Sequence, residues 1–522
     1  MADQGAGGEG GPRAGLDVGW MDRVADAPVF RPSMADFESP IEFISEIEAE
    51  AARYGICKIV PPPELACSAA LLFAEDSPLS SFCFDVRQQR VKDFVWLDFN
   101  RKEEIYNTSE KYTIKQFEEK ANQHAVKLLG TSTRVHPKIV EAEYWRERLS
   151  VGGRAIWVEY GNDVEGTGFL PPGDGSHTLS NTRWNLKELA KDKGSVLRHI
   201  KGEYPGISQP MLYVGSLFAT FYWHVEDHFM HSINFMHCGA PKTWYGVPGS
   251  YAEAFDGVAL KKVYAQAVDR LMKEENVPLE SALAHALRTL CSKSTLFSPE
   301  FLIDAGIPVY RVEQCPGEFV VTFPRSYHAG FSHGFNIGEA VNFVLPEWFP
   351  MGSEAVKRYW YLRLGHILPH EEMLCKEAAS IGYRLSCGGE TSRPDHVVMR
   401  EFVKYVLEVE SLKQALKDAG LPVVVVPAQR GNSSCMRCGR KCFLSHVHVP
   451  GDGEKYLCLH CALCARTQCL PSDDDWCGYK LCGWQVETKR YALEFQKVAR
   501  LFRKCGDFEG SPLAAAGQDS PD

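Results

Sequence analysis

The stretch WHVEDHFMHSINFMHCGAPKTWYG, residues 223–246, contains four histidines: His224, His228, His231 and His237. A carboxylate, Glu226, lies between the first two. Histidine nitrogens and carboxylate oxygens are common protein ligands of transition metals. The first question is therefore which of these side chains could bind a metal ion.

His224 and Glu226 form one candidate pair. Residues i and i+2 of a β-strand point to the same face, and the run LYVGSLFATFYW before His224 is typical of a buried strand. In a helix, His224 would instead pair with His228, as in the zinc peptidases with an H-E-x-x-H motif. The sequence here is H-V-E-D-H, which misplaces the catalytic glutamate of that motif. We therefore favour the strand.

A third ligand is offered by His328, in TFPRSYHAGFSHGFN. It follows the strong strand signal EFVVTFP and a turn. Two histidines and one carboxylate form the facial triad of non-haem Fe(II) oxygenases, which leaves coordination positions open for a co-substrate and dioxygen.

A second constellation lies near the C-terminal end, where nine of the 18 cysteines fall between Cys435 and Cys482. Cys435/Cys438 and Cys458/Cys461 are C-x2-C pairs with zinc spacing, and Cys461/Cys464 adds an overlapping pair. Such a short, loop-rich segment requires a metal to fold. The spacing predicts a zinc-binding domain, with two zinc ions expected.

The composition narrows the class of protein. A chain of 522 residues with 45% hydrophobic residues suits two to four domains. The net charge of −10 argues against a protein that coats nucleic acid, but it is compatible with a basic partner such as a cationic peptide tail. No apolar run is long enough to span a membrane. The Gly-rich start lacks the apolar segment of a secretory signal, and the scattered cysteines fit a reduced, intracellular protein.

Strand signals dominate the middle of the chain, between residues 156 and 344, with Gly, Pro and Asn punctuating them. Many short, mostly antiparallel strands suggest a barrel or jelly roll. A helical insertion is expected near residues 251–290 and a helical region over residues 349–420. The run LPVVVVPAQRGNSS is interpreted as a linker. Near the N-terminus, Ser39 or Asp36 is expected to cap a helix.

Three longer motifs resemble one family. WHVEDH, SINFMHCGAPKTWYG and GEFVVTFPRSYHAGFSHGFNIGEAVNF are similar, in content and order, to the iron-binding strands of JmjC histone demethylases. Residues 28–63 resemble the JmjN element that packs on that domain, and VEYGNDVEGTGF and RWNLKELA extend the likeness. The type most similar is the plant-like one that ends in a C5HC2 zinc finger, although Cys461 stands where that finger usually has histidine.

The resemblance implies a fold class and domain boundaries. The fold is mainly β with α: a double-stranded β-helix (jelly-roll or cupin-like) JmjC core, JmjN and helical flanks, and a small C-terminal zinc-binding domain. The expected divisions are a disordered tail (1–26), JmjN (27–68), a mixed flanking region (69–182), the JmjC catalytic domain (183–349), a helical region (350–425), a C5HC2-like finger (435–482), and a helix with a polar tail (485–522).

The resemblance also implies residue roles. His224, Glu226 and His328 match the iron ligands. The residues expected to hold 2-oxoglutarate are Tyr160, Phe221, Asn234, Lys242 and Trp244. Those expected at the methyl-lysine pocket are Gly206, Tyr213, Asp227 and Asn342. The expected zinc ligands are Cys435, Cys438, Cys442, His446, Cys458, Cys461, Cys464 and Cys477. His228 and His231 are expected in a turn or on the substrate side, and His237 near the pocket wall.

The function implied is a nuclear histone H3 lysine demethylase that uses Fe(II), 2-oxoglutarate and O2, carries zinc, and releases formaldehyde and succinate. The expected partners are the methylated H3 tail and chromatin, without a membrane or a sequence-specific DNA site. H3K9 di- and trimethyl is the favoured target. An H3K4 or H3K27 demethylase, a JmjC protein hydroxylase and a catalytically silent chromatin scaffold stay open as alternatives.

Overall fold

The computed structural model describes residues 18–65, 79, 81–91, 106–131, 135–150, 156–170, 179–189, 191–427, 433–451, 454–467 and 484–505. Within these ranges, no helix combines the length and apolar character that crossing a membrane requires.

Two β-sheets form the central part of the molecule. Their strands are Ala25–Asp26 (β1), Val29–Phe30 (β2), Ile56–Ile59 (β3), Cys83–Arg90 (β4), Tyr106–Thr113 (β5), Trp157–Glu165 (β6), Met211–Gly215 (β7), Thr220–His224 (β8), His231–Gly239 (β9), Lys242–Val247 (β10), Tyr310–Gln314 (β11), Phe319–Thr322 (β12), Tyr327–Ser332 (β13) and Asn336–Phe343 (β14). The smaller sheet has the order β1-β11-β10-β13-β8, and the larger sheet has the order β2-β3-β12-β9-β14-β7-β6-β4-β5.

The strand pairing is antiparallel except where the two N-terminal strands join, β1 to β11 and β2 to β3. From β7 to β10 and from β11 to β14, consecutive strands alternate between the two sheets, as in a jelly roll. The cupin-like fold expected from the sequence is thus confirmed. Within the small sheet the register places His328 directly opposite His224.

Helices surround the sheets. They are Pro40–Ala51 (α1), Ile114–Leu129 (α2), Pro137–Leu149 (α3), Leu186–Leu189 (α4), Ala252–Val258 (α5), Ala265–Glu274 (α6), Leu279–Cys291 (α7), Glu300–Ile303 (α8), Phe349–Leu362 (α9), His370–Ser386 (α10), Arg393–Asp418 (α11), Leu459–Thr467 (α12) and Ala492–Cys505 (α13). The helical insertion and the helical region expected from the sequence are both present.

Helix α1 packs on the large sheet through a small aromatic cluster. Phe37 stacks on Trp184 at 4.2 Å, and the Trp184 indole N–H donates to the Phe37 carbonyl. Ile44 is fully buried beside them. Ser39 holds the N-cap position, but its side chain makes no capping bond and instead accepts one from Arg183. Asp36 caps the preceding turn at Ser33.

The prediction of a disordered tail over residues 1–26 is wrong for its described part. Residues Gly19–Arg23 form a 3-10 helix, and β1 joins the small sheet. Trp20 is 2% exposed and packs edge-on against Trp145. Burial of this large aromatic surface outweighs the cost of ordering the segment. Residues 1–17 lie outside the described residues.

The single long strand expected before His224 is two strands, β7 and β8. The turn between them contains Phe218 in a left-handed conformation, with φ 66°, so the chain crosses from the large sheet to the small one. Strand β8 ends at His224, and Glu226 lies beyond it, at the start of the 3-10 turn Asp227–Phe229. The expectation that both ligands lie on one strand is therefore wrong for Glu226.

The C-terminal region contains a third sheet. Its strands are Val423–Val426 (β15), Ser445–Val449 (β18), Lys455–Leu457 (β19) and Gln485–Lys489 (β20), in the order β15-β20-β18-β19, while Ser433–Ser434 (β16) and Lys441–Cys442 (β17) form a separate hairpin. The interpretation of LPVVVVP as linker is wrong, because β15 pairs in parallel with β20.

Candidate active site

Strand pairing and a tight turn bring three side chains together. His224 and His328 lie opposite each other on β8 and β13, with ring centroids 4.2 Å apart. Glu226 extends toward them from the next turn, with a carboxylate oxygen 3.5 Å from His328 Nε2. The ligand atoms of all three residues lie within 4.8 Å of one another. This arrangement could hold a single metal ion.

Backbone carbonyls orient both imidazoles. Nδ1 of His224 lies 2.6 Å from the Tyr222 carbonyl, and Nδ1 of His328 lies 3.0 Å from the Ser326 carbonyl. When Nδ1 donates to a carbonyl, the proton is fixed there and Nε2 keeps its lone pair for a metal. The two histidines are therefore oriented as ligands before any ion binds.

The protonation states suit a metal ligand set. Burial lowers the pKa of His224 to about 3, so the ring is neutral at physiological pH. Burial by itself would raise the pKa of Glu226, but the hydrogen bond and charge of His328 hold the pKa well below its usual range. Two imidazoles, with that of His224 neutral, and one carboxylate match the donor set of a non-haem Fe(II) site.

Lys242 supplies a cation deep in the same cavity. It is 5% exposed, and burial lowers its pKa to about 8. Among the described residues it has no ion-pair or hydrogen-bond partner; its ammonium lies 5.9 Å from the ring centre of Tyr160. Gly338 leaves space for it, since a β-carbon there would lie 3.3 Å from Nζ. A buried cation of this kind calls for an anionic ligand.

The five residues expected to bind 2-oxoglutarate all line one cavity of about 460 Å³, together with the three metal-ligand candidates. Phe221 and Trp244 form one wall, with rings 4.5 Å apart, and Trp244 continues to His328 at 6.2 Å. The indole N–H of Trp244 is fixed by Gln314 Oε1 at 3.0 Å. The cavity thus combines a metal-binding end, an aromatic wall and a buried cation.

The residues expected at the methyl-lysine pocket divide into two groups. Tyr213 and Asp227 line the cavity, and the Tyr213 hydroxyl donates to Asp163 at 3.2 Å. Gly206 and Asn342 lie outside the lining. They contact each other through the backbone, and the Asn342 amide group donates to the His231 carbonyl.

The other three histidines of the opening stretch serve the fold. His228 lies fully buried in the 3-10 turn, which is one of the two positions expected for it. His231 bonds Glu48 of α1 at 2.9 Å, and His237 bonds Glu339 at 2.8 Å. His231 lies on β9 and does not line the cavity, so the expectation of a turn or a substrate-side position is wrong for it.

Sequence reasoning missed Lys293 and Asp163, which also line the cavity. Lys293 follows α7 in a left-handed conformation, with φ 57°, and lies 3.2 Å from the Asp227 carboxylate. No motif surrounds it in the sequence. Asp163 stands three residues after Tyr160 in VEYGNDVEG, so that motif could have indicated it.

Four cysteines form a second candidate metal site. Cys435, Cys438, Cys458 and Cys461 are buried, and their sulfur atoms lie within 4.8 Å of one another. Hydrogen bonds with the other three thiols hold the pKa of Cys435 below its usual range. Four converging sulfurs suit a structural zinc ion.

The remaining expected zinc ligands fall outside this group. Cys442 donates to the Arg440 carbonyl, and His446 bonds the buried Glu487 at 3.1 Å. Cys464 lies one turn beyond Cys461 on α12 and is not among the four sulfurs. Cys477 lies outside the described residues. Within the described part of the finger, the structure brings together one thiol site, where two zinc ions were expected.

Comparisons with known proteins agree with this geometry. Residues 211–343 match the JmjC domain family, described as a hydroxylase, and residues 28–61 match the jmjN domain family. Two similar proteins come from Oryza sativa subsp. japonica. Lysine-specific demethylase JMJ706 is 39% identical over 84% of this chain and 50% of its own length. Lysine-specific demethylase JMJ705 is 37% identical over 78% of this chain and 33% of its own length.

Lysine-specific demethylase REF6 from Arabidopsis thaliana is 33% identical over 80% of this chain and 32% of its own length. The chain thus spans half or less of the curated relatives it matches. The two domain matches coincide with α1 and its flanking strands and with the sheets that carry the three metal-ligand candidates. The chain therefore contains a JmjN domain, at residues 28–61, and a JmjC domain, at residues 211–343.

Proposed function

We propose that this chain is an Fe(II)- and 2-oxoglutarate-dependent histone lysine demethylase that acts in the nucleus on methylated histone H3. His224, Glu226 and His328 would bind the iron, and Lys242 would bind the far carboxylate of 2-oxoglutarate. When bound, the iron would supply oxidative chemistry at an N-methyl group, with release of formaldehyde and succinate. The similarity to proteins named lysine-specific demethylases supports this proposal.

One observation carries the proposal: a cluster of two histidines and one carboxylate lines the same cavity as a buried ammonium that has no partner among the described residues. A dicarboxylate that chelates iron at one end and pairs with Lys242 at the other would complete the metal coordination and neutralise the buried ammonium. Tyr160, Asn234 and the wall of Phe221 and Trp244 would define its length and exclude water. Exclusion of water strengthens the ion pair.

The methylated lysine would approach beside Tyr213 and Asp227. Tyrosine oxygens suit a methylated ammonium, because such a cation has few N–H donors and makes weak C–H···O contacts instead. We propose H3K9 di- and trimethyl as the favoured target, with H3K4 and H3K27 as alternatives. Gly206 and Asn342 would act by shaping the backbone behind the pocket.

The four-cysteine site would bind zinc. Because its four sulfur atoms are buried and lie within 4.8 Å of one another, a structural zinc ion fits them. Chromatin is the proposed partner; no sequence-specific DNA contact is proposed.

The test is incubation of the chain with Fe(II), 2-oxoglutarate, ascorbate and a panel of methylated H3 peptides, followed by mass spectrometry. Loss of one methylene mass from a peptide supports the demethylase, and the peptide identifies the lysine. Gain of one oxygen mass would favour a protein hydroxylase. Absence of both peptide modification and succinate formation would favour the silent scaffold. His224→Ala is the control and should abolish turnover.

A further inference from the structure

The loop that carries Glu226 is tied to the four-cysteine site through helix α9. We propose that a metal ion bound by the four cysteines holds this loop, and with it Glu226, in the position that binds the catalytic metal. The inference rests on the metal-binding role assigned to His224, Glu226 and His328 in the proposed function, but it does not require the reaction itself.

The loop has an unusual backbone. Directly after Glu226 and Asp227, both His228 and Phe229 adopt left-handed conformations, with φ of 51° and 57°. Bulky residues with a β-carbon rarely adopt this conformation. Such residues persist only where the surrounding structure over-determines them. The contacts that hold this turn therefore matter for the position of Glu226.

Two consecutive residues of α9 connect the turn to the thiol site. The Tyr359 hydroxyl accepts a hydrogen bond from the His228 N–H at 3.2 Å and donates to Asp227 Oδ1 at 3.4 Å. The next residue, Trp360, donates its indole N–H to Cys461 Sγ at 3.2 Å. One helical segment thus contacts the metal-ligand loop on one side and a metal-ligand thiol on the other.

A second connection runs through the His228 ring. Its Nε2 accepts hydrogen bonds from the backbone N–H groups of Ile367 at 3.1 Å and Leu368 at 3.3 Å. The segment just before them lies against the residue that follows the second cysteine, because a β-carbon at Gly439 would be 3.5 Å from the backbone nitrogen of His366. The His228 carbonyl is held by the Trp348 indole at 3.0 Å.

The thiol site is also continuous with the catalytic domain in its packing. Met230, Trp348 and Phe349 belong to the same hydrophobic cluster as Cys435, Cys438, Cys458 and Cys461. The catalytic domain and the four-cysteine site therefore share one hydrophobic core. Interiors packed in this way transmit displacements because they contain few voids.

Metal binding would fix the thiol end of both connections. A metal converts four mutually repelling thiolates into one rigid centre, and the Trp360 N–H donates more strongly to a thiolate than to a thiol. Without the metal, the thiols separate and Cys461 no longer holds Trp360. The adjacent Tyr359 hydroxyl then loses its alignment with the loop that carries Glu226.

The test uses the full chain and Mn(II) as the probe, because Mn(II) prefers oxygen and nitrogen ligands to thiolates. Electron paramagnetic resonance of free Mn(II) gives its Kd. Tyr359→Phe removes only the hydroxyl and should weaken Mn(II) binding roughly tenfold, as outer contacts to metal ligands do. Tyr361→Phe, a 43%-exposed tyrosine on the same helix, should have no effect. Both variants should retain zinc.

Trp360→Phe tests the thiol end without removing a zinc ligand. Like Tyr359→Phe, it should weaken Mn(II) binding. Coupling between two sites is reciprocal. If bound zinc increases the affinity for Mn(II) by some factor, bound Mn(II) should increase the affinity for zinc by the same factor. The size of this common factor measures the coupling, and Trp360→Phe should reduce it toward one, whereas a loss of packing that weakens the two sites independently would leave it unchanged. Circular dichroism establishes that each variant is folded.

Unchanged Mn(II) affinity in both Tyr359→Phe and Trp360→Phe, beside normal binding by the wild type, would overturn the coupling and leave the proposed function intact. Wild-type binding no tighter than that of His224→Ala would overturn the catalytic metal site, and this inference with it. The two failures are therefore distinguishable.

Discussion

Replacement of Lys242 by methionine should make the protein more stable and less able to bind its co-substrate. The ammonium is buried and, among the residues that the structure describes, unpaired. Methionine preserves most of the side-chain volume and removes the charge. The change therefore isolates what the charge costs in the folded state and what it contributes to binding.

The pKa of Lys242 gives the magnitude. Burial lowers it from 10.5 to about 8, and each pKa unit corresponds to about 1.36 kcal/mol. Keeping the ammonium charged at pH 7 thus costs the folded chain about 3 kcal/mol. Because the folded state holds this proton less tightly than the unfolded state, the cost is full below pH 8 and disappears as pH rises from about 8 to 10.5. The free energy of unfolding of Lys242→Met should exceed that of wild type by about this amount at pH 7.

Co-substrate binding should change in the opposite direction. Loss of one partner from a buried charge pair costs about 2–5 kcal/mol, which is roughly thirtyfold or more in Kd. Wild-type affinity should also fall above pH 8, where the ammonium loses its proton. Isothermal titration of 2-oxoglutarate into the Mn(II)-loaded chain measures both effects, and urea unfolding measures stability.

Lys58→Met is the matched control, because Lys58 is also largely buried but forms an ion pair with Glu318 at 3.0 Å. That variant should lose stability. If Lys242→Met were no more stable than wild type and bound 2-oxoglutarate equally well, the reasoning that this ammonium is uncompensated until an anion binds would be wrong.

Three further predictions concern the metals and the JmjN contact. His328→Ala should bind Mn(II) at least roughly tenfold more weakly while zinc content stays the same, as measured by metal analysis after dialysis. Glu48→Ala leaves the buried His231 ring without its partner at 2.9 Å and should lower the free energy of unfolding by about 1–3 kcal/mol; an unchanged urea midpoint would contradict this. Cys458→Ser should reduce bound zinc and lower Tm, and a chelator should lower the Tm of wild type but have little effect on this variant.

Local sequence patterns predicted much of the architecture. Short strands, the insertion near residues 251–290 and the helices after residue 349 follow from hydrophobic periodicity, which depends only on neighbouring residues. The local pattern failed where contacts with residues distant in the sequence decided the structure of a segment. Trp20 anchors the 3-10 helix Gly19–Arg23, and the valines after Pro422 form β15 rather than a linker, because both segments find partners distant in the sequence.

For the metal-ligand candidates, too, the sequence identified the residues but not their arrangement. The motif containing His224 and Glu226 indicated both residues, but it placed Glu226 on a strand that ends two residues earlier. In the finger, the cysteine spacing identified Cys435, Cys438, Cys458 and Cys461, yet it could not distinguish them from Cys442, which points to a backbone carbonyl.

By itself, the sequence determined which residue types are available for chemistry and in what order, since motif identity and strand periodicity are local properties. Only the tertiary structure decided which of them meet. The pairing of β8 with β13 unites His224 with His328, and α9 joins the thiol site to the Glu226 loop. Burial without a counter-ion in the described part of the chain gives Lys242 its need for an anion. These relations depend on packing between segments about one hundred residues or more apart, and no local pattern records such packing.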